Sequence, residues 1–206
     1  MILNDHPKPQ KIYYKFILIF LIACIAQKAD AQMYVKDILN DKIPVSYKGK
    51  PIDAYEYKDG AGLHIYLVTK TKQDRPVQKV TITGACYTQT NGTFVKDWSI
   101  TDFAFNILLY NINTKIVDID NDGIYETVFV YQLNPDAAPG ADWKMMMHYK
   151  NQKYVVRAHV AGFTMNNGSL ERDKGFDTLP AAIKNYAIDY WNDIADRNEL
   201  GLSFSK

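Results

Sequence analysis

Asp118-Ile119-Asp120-Asn121-Asp122-Gly123-Ile124-Tyr125-Glu126, running into Val128, Phe129, Val130 and Tyr131, is the stretch that decides the fold. Four carboxylates crowd around one glycine, and such a loop lies either between two helices, as in an EF-hand, or between strands. The EF-hand needs a bidentate Glu at about position twelve of the loop, where this chain has Phe129. The residues after the acids are β-branched and aromatic, so the loop opens onto a strand. The surrounding fold should be mostly β.

The loop also implies a chemistry. A hard cation takes about six to eight oxygens, and acids at alternate positions fold back onto one centre if a glycine lets the chain turn sharply. Asp118, Asp120 and Asp122 then offer side-chain oxygens, Ile124 its carbonyl, and Glu126 closes the shell around Ca2+. A plain tight turn is the other reading, since Asn, Asp and Gly favour turns without any metal. Electrostatics favours the ion: acids converging on one centre repel and raise one another's pKa unless a cation joins them. With a dissociation constant of about 0.1 mM in about 1 mM calcium, the ion adds roughly 1.4 kcal/mol, a structural contribution.

Working outward, short apolar or alternating runs between Ile52 and Tyr154 are separated by Gly, Asn, Asp and Pro. That is the pattern of an antiparallel meander. It predicts strands at 62–71, 77–83, 94–102, 105–110, 126–133, 144–149 and 154–160. Turns are expected at Asp59-Gly60, Asn91-Gly92, Asn121-Asp122-Gly123, Asn134-Pro135, Pro139-Gly140 and Asn151-Gln152. The tail changes period. Leu179, Ile183, Tyr186, Ala187, Tyr190, Trp191 and Ile194 draw one stripe on a helix over about 179–198, with Thr178 as N-cap, Pro180 in the first turn and Gly201 ending it. A stripe so aromatic must cover the open face of the sheet, which places Trp191 and Tyr190 in the core. The fold class is therefore α+β, mostly β, with a C-terminal helix packed on the sheet. Residues 32–50 give no clear pattern: Met33–Asn40 suits a short strand or a helical turn, and Ile43–Lys50 an extended connection rich in Lys.

Lys8, Lys11 and Lys15 precede an apolar run from Phe16 to Ala26, and Ala29-Asp30-Ala31 places small residues where a signal peptidase reads. The run is too short for a membrane span, which needs about twenty residues. Residues 1–31 are thus expected to be a signal peptide, leaving a single domain over 32–206 on the periplasmic or cell-surface side. A lipobox-like Leu21-Ile22-Ala23-Cys24 keeps open a lipid anchor at Cys24. The remaining 20 basic and 21 acidic residues leave no imbalance that would attract nucleic acid or an anionic membrane. Cleavage at Ala31 would leave Cys86 as the lone thiol, so no intramolecular disulfide is expected.

No motif names a reaction. His64, His148 and His159 lack metal-ligand spacing, Cys86 shows no sign of activation, and neither a Gly-x-Ser-x-Gly elbow nor a phosphate loop is present. Fifteen tyrosines and three tryptophans suggest sugar stacking, with Trp98 and Trp143 the candidates for exposure. Trp98-Ser99-Ile100-Thr101-Asp102-Phe103, the Asp118–Glu126 loop with its following strand, Met145-Met146-Met147-His148-Tyr149 and Lys153-Tyr154 together resemble a group of exported Bacteroidota proteins labelled surface polysaccharide biosynthesis protein. The loop is also similar to the calcium loops of integrin-type repeats. The resemblance spans roughly residues 50 to 195 and implies a part in lipopolysaccharide or capsule assembly, without supplying catalytic residues.

The expectation is an exported binding or scaffolding protein of the cell envelope, its partner a surface glycan or an envelope protein, with one structural calcium. The alternative is an envelope hydrolase or transferase acting on glycans. A cleft with two carboxylates outside 118–126 would favour the enzyme, and a flat aromatic surface would favour the binder.

Overall fold

The computed structural model describes residues 34–73, 78–136, 142–160 and 168–205. The expected signal peptide, Cys24 and the Pro139-Gly140 turn lie outside them. Ten strands and one α-helix are described: β1 (Tyr34–Asp37), β2 (Lys50–Asp59), β3 (Gly62–Gln73), β4 (Lys79–Thr90), β5 (Thr93–Ala104), β6 (Ile107–Val117), β7 (Glu126–Leu133), β8 (Asp142–Tyr149), β9 (Gln152–His159), β10 (Ser169–Arg172) and α1 (Ala181–Arg197). They form two antiparallel five-stranded meanders, β1-β2-β3-β4-β5 and β10-β9-β8-β7-β6. The fold is mostly β, as expected.

Turn chemistry explains the meanders. Asn91 and Gly92 both take positive φ (51° and 78°), the backbone of a two-residue hairpin whose twist matches its strands. Lys150 and Asn151 do the same at 45° and 61°, so the β8–β9 turn sits one residue earlier than Asn151-Gln152, and Gln152 already pairs with Tyr149. At Asn134, the side-chain carbonyl accepts the N–H groups of Phe105 and Asn106, tying the end of β7 to the start of β6.

The second sheet is the middle layer. One of its faces presents Phe129, Tyr131, Met146 and Val155 to Tyr66, Val68, Val80 and Ile82 of the first sheet. Its other face presents Val128, Val130, Met145, Met147 and Val156 to Ile183, Ala187, Trp191 and Ile194 of α1. Strands covered on both faces show a continuous apolar run instead of alternation, which is the reason Val128-Phe129-Val130-Tyr131 reads as it does. The far face of the first sheet is closed by Ile38, Leu39, Ile43 and Val45, packed on Ala54, Ile65, Leu67 and Ala85. That is the role of the segment whose sequence shows no clear pattern.

The helix stripe is buried where expected, but its start differs. Thr178 is not the N-cap: it ends a 3₁₀ turn, Lys174–Thr178, whose cap is Asp173, and Pro180 precedes α1 without a side-chain cap bond. The α-helix then stops at Arg197, before Gly201. Among the described residues no helix is long and apolar enough to cross a membrane.

Candidate functional site

β6 and β7 deliver the acidic loop to one end of the two sheets. Gly123 takes φ 87° and Asn121 φ 58°, both in the left-handed region that the Asn-Asp-Gly run accommodates. The two oxygens of Asp118 accept the N–H groups of Asp122 (3.1 Å) and Gly123 (3.0 Å), folding the loop back on its first residue. Glu126, 2% exposed, accepts the Ile119 N–H at 2.8 Å.

Asp118, Asp120 and Glu126 thereby bring carboxylate oxygens within 4.8 Å of one another. Tyr149 donates its hydroxyl to one oxygen of Asp120 at 3.2 Å, and the other oxygen is buried with no hydrogen-bond partner. Burial, then the charges of Asp120, Asp122 and Asp118, push the Glu126 carboxyl up to about 7 against the opposing Ile119 N–H. Asp122 is not part of the trio: one oxygen accepts the Ile124 N–H (2.9 Å) and the other lies 3.3 Å from Lys150. Ile124, the expected carbonyl ligand, follows that turn with an exposed side chain.

Asp59, at the β2–β3 turn, clamps the loop to the first sheet. One of its oxygens accepts the Tyr125 N–H at 3.1 Å; the other accepts Ala61 N–H and the Nε2 of His64 at 2.9 Å. Burial opposes the charged form, but the bonds from His64, Tyr125 and Ala61 outweigh it and hold the Asp59 carboxyl below its usual value. Next to it the Gly60 N–H donates to the Gly123 carbonyl at 2.6 Å. A Cβ at Gly60 would stand 2.8 Å from that carbonyl oxygen, closer than real contacts allow. Gly60→Ala is therefore expected to separate hairpin and loop and cost about 1–3 kcal/mol in urea unfolding.

Between the two lies a cleft of about 260 Å³. Its walls include Tyr57, His64, Cys86, Asp97, Trp98, Tyr125, Glu126 and His148. Tyr57 stacks on His64 (centroids 4.7 Å apart) and Trp98 on His148 (4.2 Å). Burial lowers His148 to about 4, so that ring is neutral at pH 7, and burial pushes the Cys86 thiol up to about 12, which leaves it a poor nucleophile. No family model, no curated protein and no solved structure matches this chain.

The histidines behave differently from one another. His148 and His159 lie on neighbouring strands but at opposite ends, His148 facing Lys153 and His159 facing Asp142, with His159 bound to Asp142 at 2.6 Å. Trp98 borders the cleft, but Trp143 is 4% exposed under the helix. The expectation of an exposed Trp143 is corrected: β8 begins at Asp142, so the tryptophan is already a strand residue facing the core. The grouping of His64, Cys86, Asp59 and Asp97 was missed, since they lie far apart in sequence and only strand register assembles them.

Proposed function

We propose that this chain is an exported binding or scaffolding domain of the cell envelope, braced by one calcium ion and serving surface glycan assembly. The calcium reading rests on one observation above all: Asp118, Asp120 and Glu126 converge while a buried Asp120 oxygen has no hydrogen-bond partner. A buried carboxylate oxygen without a donor is costly, and a divalent cation compensates it directly. The ion would fix the loop that forms one wall of the cleft, whose rings are already stacked on one another.

Calcium at about ten times its dissociation constant is expected to raise unfolding free energy by roughly 1.4 kcal/mol, an effect that Asp120→Ala abolishes. Paired thermal melts in calcium and in chelator measure it. Equal melting temperatures for the parent under both conditions would sink the reading.

One observation favours the second reading, an envelope enzyme acting on glycans. The cleft region holds Asp59 and Asp97, two carboxylates outside the acidic loop, beside His64. This is the arrangement that distinguishes a reactive cleft from a flat binding face.

A further inference from the structure

Three neighbouring strands assemble a second donor set that shares no residue with the acidic loop. His64 of β3, Cys86 of β4 and Asp97 of β5 bring a ring nitrogen, a sulfur and a carboxylate oxygen within 4.8 Å of one another. Asp97 reaches the group through an irregularity in the sheet. Cys86 pairs with Trp98 while Tyr87 pairs with Lys96, so Asp97 is the extra residue of a β-bulge. In an unbroken strand Asp97 and Trp98 would point to opposite faces. The bulge turns both to the same cleft, the re-aiming that bulges perform beside functional sites.

Hydrogen bonds hold each of the three side chains. Asp59 pairs with His64 Nε2, so the tautomer that could ligate a metal carries its lone pair on Nδ1. Nδ1 lies 2.7 Å from the Thr88 hydroxyl, which also reaches Asp97. Thr88 donates its one proton to Asp97. Cys86 Sγ lies 3.3 Å from the Tyr57 hydroxyl and adds further lone pairs.

We propose that His64, Cys86 and Asp97 bind a transition-metal ion of the zinc class, with a fourth position open to the cleft. Sulfur with imidazole selects such an ion over calcium, and three protein ligands with an open position is the arrangement of hydrolytic zinc. Metal–ligand bonds of about 2.0–2.3 Å place tetrahedral ligand atoms roughly 3.3–3.8 Å apart. The set therefore has to contract on binding, and Asp97, the exposed member, has the most room to move. Asp59 behind His64 reproduces the carboxylate–imidazole–metal relay that orients bound histidines. Binding takes up the metal and releases the Cys86 proton to solvent, so affinity increases with pH.

Cobalt(II) titration of the full chain in a Cys24→Ser background, with calcium present, tests the site. Expected are one equivalent bound and a sulfur-to-cobalt charge-transfer band that Cys86→Ser removes. Asp59→Asn keeps the band and weakens affinity about 10–100-fold; Asp97→Asn, at an exposed position and thus safe for folding, weakens it at least as much. No charge-transfer band in the Cys24→Ser protein, or unchanged affinity in Asp97→Asn, overturns the proposal. Loss of calcium stabilisation with an intact cobalt band would count against the calcium loop alone.

Discussion

Trp191→Ala is expected to remove about 3–5 kcal/mol of stability, since this is the largest fully buried side chain among the described residues. Its side chain is fully buried, with Ile183, Ala187 and Ile194 beside it on α1 and the outer face of the β7–β8–β9 sheet beneath. Truncation therefore loses both the transfer free energy of the indole and the contacts around the cavity left behind. Trp191 also donates its Nε1–H to the Leu202 carbonyl at 2.9 Å, fixing the tail that returns across the helix, where Asn192 and Phe204 exchange two further bonds. Trp191→Phe separates the contributions: it keeps most of the buried area and gives up the bond to Leu202, so about 1–2 kcal/mol is expected. Urea unfolding followed by circular dichroism measures both. A loss below about 1 kcal/mol for Trp191→Ala would mean that α1 is not anchored through this residue.

How much the sequence disclosed depended on how local each signal was. The acidic loop is built from neighbours, and its convergence on Asp118, Asp120 and Glu126 follows from spacing and one glycine. The apolar stripe of α1 is equally local. Strand β2 was missed because Lys50, Asp53, Glu56, Lys58 and Asp59 make it look like a polar connection, although β1 and β3 both pair with it. Its acids have other duties: Asp53 is buried beneath the sheet and Asp59 clamps the acidic loop. Trp143 sits next to the Pro139-Gly140 turn signal, but β8 begins at Asp142, two residues before the expected start at 144. The cluster of His64, Cys86 and Asp97 was out of reach, because three strands must align and a bulge must turn one residue over, and neither event leaves a pattern along the chain.

Glu126 gives the second large effect, and its sign reverses with calcium. In chelator, its folded carboxyl is pushed from 4.5 to about 7 by burial and by the charges of Asp120, Asp122 and Asp118. The folded state thus binds the proton more tightly than the unfolded one. This contribution is fully present below about 4.5 and is lost as pH climbs through 7. At about 1.4 kcal/mol per pH unit, the ceiling on the loss is roughly 3 kcal/mol. Glu126→Gln keeps an acceptor for the Ile119 N–H without a titrating charge, so in chelator it should overtake the parent between about pH 5 and 7.5. Calcium inverts the order, because the ion supplies the charge that the crowded acids lack, and removing one carboxylate then weakens its binding. The test is a set of melts of both proteins at pH 5 and 7.5, with calcium and with chelator. Parallel pH profiles in chelator would show that the Glu126 carboxyl gains nothing from its proton in the fold, and the electrostatic case for a cation at this loop would fall with it.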